Sequence, residues 1–299
     1  MKDSLVSPFT DSQVHLRMPQ GANFLVWLSH DVDRVYKTFF HCLYYAYQQR
    51  KMSHISNALK GYNPYWSFQR ILDVESKLGV KSTFFFLNES MSVDLCNPKS
   101  FVLAKGRYNI LDKRVQNVIR EIDHKGWEIG LHGSYNSYCQ KELLANEKQV
   151  LEDIIGHPIL GIRQHYLNLN IPQTWEIHRS LGLKYDASFG LTKMVGFRDD
   201  IYYPFRPFQD DFIVFPMTIM DNPLFKKFKY PHDTWNQCVK LIEMAAEKKT
   251  ILSILWHNQV FDEHDYPGYE TTYIRLIKEC QARGGYFCMG KNIQEFLIN

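Results

Sequence analysis

The stretch FLVWLSHDVDRV, residues 24–35, decides the fold. Five of its first six residues are apolar, which predicts a buried strand. The chain then meets His30, Asp31 and Asp33 without a glycine or proline to mark a turn. In an extended segment Asp31 and Asp33 point to the same side, so two carboxylates converge where this strand ends. Such a pair repels unless a cation lies between the carboxylates or their tasks differ, which indicates a functional site.

Four more apolar runs follow this strand and alternate with helical patterns. Because the runs are continuous, they are typical of strands that are covered on both faces in a parallel sheet. The predicted strands are residues 23–28, 82–87, 127–132, 251–257 and 286–289. The predicted helices are residues 67–80, 107–126 and 269–285. This order predicts an α/β fold, with one domain over residues 1–299 and a helical insertion near 34–66.

The helix predicted at 107–126 carries its apolar residues on one face. They are Leu111, Val115, Val118, Ile119 and Ile122. Gly79 and Gly126 follow two of the helical patterns and are natural stops. We therefore expect each helix to cover the sheet with one side and to face solvent with the other.

Composition excludes several classes of function. The 299-residue chain has a net charge of +3, which is too small to indicate a nucleic-acid partner or an anionic membrane. No segment approaches the roughly 20 apolar residues of a membrane helix. Residues 1–21 lack the apolar core of a signal peptide, so we expect a cytoplasmic protein. The six cysteines have no paired spacing and are expected to be free thiols.

Imidazole groups recur at the ends of predicted strands. His132 and His257 each end an apolar run, as Asp31 and Asp33 follow the first one. In parallel α/β folds the carboxyl ends of strands gather at one edge, where functional groups lie. We therefore expect these four side chains to form one site.

A metal ion would relieve the repulsion between the two aspartates. Asp33 offers a hard oxygen and His132 a nitrogen, a combination that suits Zn²⁺ or another divalent first-row metal. Asn136, four residues after His132, is a candidate third ligand, with the hydroxyls of Ser134 and Ser137 as neighbours. An amide oxygen is a weaker ligand than an imidazole. The expected cofactor is therefore a divalent metal, most simply Zn²⁺.

The order of these motifs resembles the NodB-homology polysaccharide deacetylases, carbohydrate esterase family 4. The resemblance extends over residues 22–295. Its motifs are SHDVD (29–33), STFFF (82–86), EIGLH (128–132), RQHY (163–166), YDASFG (185–190) and LWH (255–257). The residues of these motifs also resemble those of a bacterial subgroup that is linked to surface-glycan and O-antigen biosynthesis.

The resemblance implies a fold and an activity. The fold would be a distorted (β/α) barrel of about seven strands. The activity would be metal-dependent removal of an N-acetyl group from an amino sugar. In the family pattern the metal ligands would be Asp33, His132 and Asn136. Asp31 would be the general base, and His257 the general acid.

The resemblance also implies supporting roles. Arg163, with Asp186, would orient Asp31 and keep it ionised. The backbone N–H of Tyr166 would stabilise the oxyanion that forms on the amide carbonyl.

Several histidines and one asparagine need separate interpretation. Asn136 stands where histidine is usual, and His165 stands where proline is usual. His165 would be a substrate contact, an extra metal ligand or simply a residue of the subgroup. His30 should point away from the site and pack in the core. His178 and His264 are expected at the surface.

Two other interpretations stay open beside a sugar N-deacetylase. The weak third ligand favours a glycan-binding relative that has lost catalytic strength. Alternatively, the same site hydrolyses another non-peptide C–N bond, in a formamide or a cyclic amide. The expected partner is a glycan that contains an amino sugar, a nucleotide sugar or a lipid-linked intermediate, because a cytoplasmic enzyme does not reach mature wall polymer.

Overall fold

The computed structural model describes residues 12–59, 63–90, 106–228 and 230–298. Cys96 and the N-terminal stretch 1–11, which bear on the predictions of free thiols and of location, lie outside these residues. Parts of the range predicted as one domain lie outside them as well, and that prediction stays a prediction. The five cysteines of the described chain are free thiols. No helix within the described ranges is long and apolar enough to span a bilayer.

Nine strands pair in parallel into one curved sheet. They are β1 (Phe24–Val32), β2 (Thr83–Leu87), β3 (Glu128–Gly133), β4 (Gly161–Gln164), β5 (Tyr185–Asp186), β6 (Ile213–Val214), β7 (Ile219–Met220), β8 (Ile251–Leu255) and β9 (Gly285–Phe287). Their order is β6-β5-β4-β3-β2-β1-β8-β7, with β9 paired to β1. In the described chain β6 and β7 do not pair, so the barrel is open between them. The predicted distorted (β/α) barrel is confirmed, with more strands than predicted because β5, β6 and β7 are only two residues each.

Strand β1 is the centre of the sheet and is buried along its whole length. One of its edges pairs with β8, from Leu25 opposite Ile251 to Ser29 opposite Leu255. Its other edge pairs first with β9 and then, from Ser29 onward, with β2. The apolar run that predicted a strand therefore forms one because three other strands satisfy its backbone groups.

Ten helices lie in the described residues. They are α1 (Phe39–Gln49), α2 (Ser53–Leu59), α3 (Phe68–Leu78), α4 (Lys113–His124), α5 (Lys141–Ile155), α6 (Gln173–Ser180), α7 (Asp221–Lys227), α8 (Pro231–Lys248), α9 (Tyr269–Ala282) and α10 (Gly290–Ile293). Helix α4 buries four of the five apolar residues predicted for its face. The fifth, Leu111, precedes the Asp112 cap and is exposed, because the helix begins later than its apolar pattern.

The two faces of the sheet have different cores. Phe24, Val26 and Leu28 of β1 pack with the surrounding helices in the larger cluster. Leu25 and Trp27 point the opposite way, into the smaller cluster, where they meet apolar residues of other strands. Because alternate residues of a strand share a side, Ser29 and Asp31 also point into the barrel. The register of β1 thus places a carboxylate at the open end of the barrel interior.

The segment 34–66, predicted as a helical insertion, contains α1 and α2. Thr38 begins α1 with a capping box, in which its side chain accepts a hydrogen bond from the His41 backbone N–H. Arg50 ends the helix in the left-handed conformation. These two helices lie between β1 and α3 in the chain and border the site.

Candidate metal and catalytic site

Acidic, imidazole and guanidinium groups meet at the carboxyl ends of four strands. Asp31 lies in β1, and Asp33 is the first residue after the end of that strand. His132 of β3 pairs in register with Arg163 of β4. His257 follows β8 and lies with its Nε2 3.6 Å from the Asp33 Oδ2. The prediction that separate strand ends assemble these groups is confirmed by these contacts.

Asp33, His132 and His165 form a cluster with the donor set of a metal site. Their ligand atoms lie within 4.8 Å of one another. The Asp33 Oδ1 is 3.1 Å from the His132 Nε2 and 3.8 Å from the His165 Nε2. One carboxylate and two imidazoles suit Zn²⁺ or a similar first-row ion.

The hydrogen bond of the His132 ring to the backbone leaves the lone pair of its other nitrogen facing the carboxylate of Asp33. The His132 Nδ1 lies 2.7 Å from the Arg163 carbonyl oxygen. A carbonyl only accepts, so this nitrogen donates, and the Nε2 of neutral His132 presents a lone pair to Asp33. The Asp33 Oδ1 is buried and has no hydrogen-bond partner among the described residues. Converging acceptors without a donor fit a bound cation.

Local charge and burial also favour this cluster as a ligand set. Burial opposes ionisation of Asp33, but His165, His132 and His257 outweigh it, so the pKa of Asp33 lies far below its usual range. Burial lowers the pKa of His165 to about 4. Asp33 is therefore a carboxylate and His165 a neutral imidazole at neutral pH, the forms that bind metals.

Asn136 precedes the short 3₁₀ helix Ser137–Cys139 and is not among the residues that line the cleft. His165 reaches the cluster because it lies two residues after the inward-pointing Arg163, and the chain then turns sharply at Tyr166, where φ is 59°. Of the open interpretations of His165, this geometry favours the metal ligand, while Asn136 as a ligand stays an unsupported prediction.

Asp31 is held by Arg163 inside the barrel. The Arg163 Nη1 donates to the Asp31 Oδ1 at 2.8 Å and to the Ser29 hydroxyl at 2.9 Å. Its Nε donates to the Ala187 carbonyl at 3.0 Å. Burial would raise the pKa of Asp31, but Arg163, then His132, and then His257 outweigh it and lower the pKa. Asp31 is therefore a fixed, ionised carboxylate.

Asp186, which was predicted to orient Asp31 together with Arg163, contacts Ser188 and His178, and its role toward Asp31 stays a prediction. It accepts hydrogen bonds from the backbone N–H and the hydroxyl of Ser188, at 2.8 and 2.7 Å. Its Oδ2 lies 3.2 Å from the Nδ1 of His178, which is fully buried. The prediction of His178 at the surface is thus wrong, because its ring is buried below the site, where its Nε2 lies 2.9 Å from the Gln164 Nε2.

The sequence interpretation missed Asp221, which supports His257. Asp221 directly follows the two-residue strand β7 and is fully buried. Its carboxylate accepts from the His257 backbone N–H at 2.6 Å and lies 2.8 Å from the His257 Nδ1. Burial would lower the pKa of His257, but Asp221, then Asp33 and Asp31, raise it to about 9. An acid directly after a strand was the available signal, but a strand of two residues gives no pattern.

An open cleft of about 1010 Å³ leads to the cluster. Tyrosines line its walls, and one of them, Tyr166, has a half-exposed side chain. Arg34, Lys193 and Lys226 add positive charge to the lining. Flat aromatic faces suit sugar rings, and the volume is that of a site for a substrate larger than a few atoms.

His30 points away from the cleft, as predicted. It is fully buried, and its ring nitrogens lie 2.6 Å from the Trp256 carbonyl oxygen and 2.8 Å from Glu75. These contacts link β1 to the end of β8, so His30 supports the strands that carry Asp31 and His257.

Two solved bacterial structures share this fold. One is a proposed polysaccharide deacetylase from Mycobacterium smegmatis, with a TM-score of 0.62 and 17% identity over 95% of this chain and 92% of that one. The other is a probable polysaccharide deacetylase from Pseudomonas aeruginosa PAO1, with a TM-score of 0.60 and 18% identity over 93% and 92%. No family model and no curated protein matches the sequence. The chain therefore has the NodB-type (β/α) barrel deacetylase fold.

Proposed function

We propose that this protein is a metal-dependent hydrolase that removes an N-acetyl group from an amino sugar. The observation that carries the proposal is the convergence of Asp33, His132 and His165 beside Asp31 and His257 in one cleft. A metal site, an ionised acid and a cationic acid together are the parts that amide hydrolysis needs.

Asp33, His132 and His165 would hold the metal. A divalent ion at this site would polarise the amide carbonyl and lower the pKa of a coordinated water. One oxygen and two nitrogen donors favour Zn²⁺ among common divalent ions. The neutral imidazole of His165 and the ionised carboxylate of Asp33 are ready to bind an ion. Burial would lower the pKa of His132, but Asp31 and Asp33 raise it, so this ligand would bind an ion in place of a proton.

The remaining residues move protons. Asp31, kept ionised by Arg163, would accept a proton from the attacking water. His257, kept cationic by Asp221, would donate a proton from its Nε2 to the departing amine nitrogen. Attack on the acetamide carbon breaks its C–N bond and yields acetate and the free amine. The backbone N–H of Tyr166 is proposed to stabilise the oxyanion, since Tyr166 lines the cleft beside His165.

The proposed substrate is an intermediate of surface-glycan assembly of the O-antigen type. The residues of the sequence motifs support membership of the surface-glycan and O-antigen subgroup. The tyrosine-lined cleft supports a sugar ligand. Positive charge from Arg34, Lys193 and Lys226 supports a sugar that carries phosphate, as nucleotide-linked and lipid-linked sugars do. A cytoplasmic location goes with this proposal and stays a prediction that cell fractionation tests.

The two alternatives are less well supported. The case for a glycan-binding relative without activity rested on Asn136 as a weak ligand, and His165 now supplies an imidazole in the cluster. Hydrolysis of a formamide or cyclic amide would use the same groups. The products separate these reactions, because a formamide releases formate, a cyclic amide releases neither formate nor acetate, and an acetamide releases acetate.

The test is metal content of the purified protein beside its single-site variants. We expect wild type to retain about one zinc or similar ion per chain, as a three-residue site does. His132→Ala and His165→Ala should lose it, and Asn136→Ala should keep it. Loss in Asn136→Ala with retention in His165→Ala would instead restore the ligand set of the sequence prediction.

Activity is measured on the same proteins. Acetate release from N-acetylated sugar nucleotides and lipid-linked sugars should fall by about 10²–10⁴ in Asp31→Asn, because the general base is lost. That variant should still bind metal. A metal-loaded wild type that releases no acetate from any of these sugars would contradict the proposed reaction.

A further inference from the structure

Helix α1 carries a large exposed apolar surface. We name the side chains of Phe39, Phe40, Leu43 and Tyr47 the α1 apolar face. Their exposed fractions are 52%, 69%, 40% and 88%. Met52, just after the helix, is 72% exposed. Contiguous exposed apolar residues of this size mark an interaction surface more often than scattered single ones do.

The α1 apolar face is one continuous side of the helix. At about 100° per residue, its four members fall within an arc of about 100°. Cys42 and Ala46 lie next to this arc and His41 lies opposite it, and all three are buried against the protein. The apolar arc of α1 is therefore wider than the part that the protein covers. The covered part serves the fold of the helix, so the exposed part requires another explanation.

The segment around α1 has a one-sided charge. Residues 34–72 contain six lysines and arginines and no aspartate or glutamate. Lys37 and Arg70 are neutralised by Asp265 and Glu270 of a distant segment, at 2.5 Å each. Arg50 and Lys51 directly follow α1, are exposed, and form no salt bridge within the described chain.

We propose that the α1 apolar face, flanked by Arg50 and Lys51, docks on the surface of an anionic lipid bilayer. Aromatic and aliphatic side chains enter the headgroup boundary, and adjacent cations meet anionic headgroups. A second copy of this chain fits less well. A two-fold interface sets the same surface against itself, which would bring Arg50 and Lys51 towards their own copies.

The docking surface adjoins the cleft. His41, Tyr45 and Gln48 of the same helix line it. These three residues lie on the side of α1 opposite the α1 apolar face, so the helix would separate the bilayer from the cleft. A protein bound through α1 would therefore hold the cleft near the membrane, within reach of a sugar on a lipid carrier. This last step rests on the proposed function, whereas docking itself does not.

The experiment is co-sedimentation with vesicles, which needs no enzymatic activity. Vesicles of phosphatidylcholine alone are compared with vesicles that also contain phosphatidylglycerol. The variants are Phe40→Ser/Tyr47→Ser and Arg50→Glu/Lys51→Glu. The matched controls are Leu111→Ser, an exposed apolar residue elsewhere, and Lys240→Glu/Lys278→Glu, which changes the net charge equally. Circular dichroism shows that each variant is folded.

We expect wild type and both control variants to bind the anionic vesicles. None of these three proteins should bind vesicles of phosphatidylcholine alone. Each α1 variant should bind at least about tenfold more weakly, given about fivefold per basic side chain. Equal binding of wild type and α1 variants would overturn the proposal. So would a wild type that binds no vesicle but forms a dimer that Phe40→Ser/Tyr47→Ser abolishes, since the occupant is then a second copy. Docking without acetate release would leave docking standing and count against the proposed reaction alone.

Discussion

At the scale of single residues, the carboxylate of Asp221 determines what His257 can do. It lies 2.8 Å from the His257 Nδ1 and also accepts from the His257 backbone N–H. These two contacts fix the position of the His257 ring and keep a proton on its Nδ1. With the pKa of His257 raised to about 9, the imidazolium is the main form at neutral pH.

We expect Asp221→Asn to move the alkaline limb of the pH–rate profile to lower pH. The acid form of His257 is needed, and it is lost as pH rises through its pKa. Asparagine has no charge to raise that pKa, so the loss begins earlier, by about one pH unit or more. The measurement is kcat/KM for acetate release against pH.

Asp186→Asn is the matched control for this shift. Asp186 is also a buried acid beside a histidine, but that histidine is His178, below the site. Its substitution should leave the alkaline limb in place. A limb that moves with Asp186→Asn and not with Asp221→Asn would reverse the roles assigned to the two acids.

That Asp31, Asp33, His132 and His257 lie together could be predicted from sequence, because strand ends converge in a parallel sheet. The roles of Asp31 as base and His257 as acid came from the resemblance to a family. The approach of His165 to these side chains could not be predicted. A spacing of four residues after His132 favoured Asn136 as the third ligand, and that interpretation stays a prediction. The alternation that makes His165 share a side with Arg163 was readable, but its sharp turn at Tyr166 was not.

At the scale of elements, helix α5 supports the end of β3 through a buried acid. The Glu147 Oε2 accepts from the Ser134 backbone N–H at 3.1 Å, just after β3. Burial is the main reason that the pKa of Glu147 is raised to about 7 from 4.5. Glu147 is therefore protonated in the folded protein at a pH where the unfolded chain carries its charge.

We expect this raised pKa to make stability fall as pH rises. Between about pH 4.5 and 7 the folded state binds the extra proton, so the free energy of unfolding decreases through this window. Above it the buried charge costs roughly 3 kcal/mol relative to a neutral group. Glu147→Gln has no proton to lose, so its stability relative to wild type should increase from low to high pH in urea denaturation.

Glu142→Gln is the control on the same helix, because Glu142 is exposed. The stability difference between wild type and Glu147→Gln should depend on pH more strongly than the difference for Glu142→Gln. A difference for Glu147→Gln that stays constant from about pH 4.5 to pH 8 would show that the pKa of Glu147 is the same in the folded and unfolded states, against the raised pKa.

The helices were predictable because their apolar faces repeat over several turns. The pattern at 67–80 corresponds to α3, which ends at Gly79 in the left-handed conformation, as expected. The short strands β5, β6 and β7 were not predicted, since two residues have no periodicity. Their pairing partners, not their own sequence, make them strands.

At the scale of the whole molecule, the barrel interior is filled by large aromatic side chains. The Tyr185 ring lies over Gly161 of β4 and contacts Trp27 of β1 and Phe215, with ring centroids 5.6 and 5.2 Å away. Its hydroxyl donates to Glu128 at 2.8 Å. The strands can close around this ring only because Gly161 has no side chain.

We expect Gly161→Ala to destabilise the fold. An added Cβ would lie 1.8 Å from the Tyr185 Cζ, and the ring is fully buried. Overpacking of this kind costs about 1–3 kcal/mol or more, because a dense interior has no room to relax. The measurement is the free energy of unfolding in urea.

A second substitution separates this clash from any other effect of alanine. Tyr185→Leu removes the ring, so Gly161→Ala should cost much less in that background. Equal costs in the two backgrounds would mean that the ring is not what excludes a side chain at Gly161.

The pairing of β1 also has a consequence for synthesis. His30 contacts the carbonyl oxygen of Trp256, 226 positions later in the chain. At ribosomal speeds this interval takes roughly ten seconds or more, during which the first strand has emerged but one of its edges has no partner. An apolar edge that waits this long is a target for chaperones and for wrong pairing. The nascent protein therefore carries Asp31, the proposed base, long before His257, the proposed acid, and the proposed hydrolysis can begin only after β8 has paired with β1.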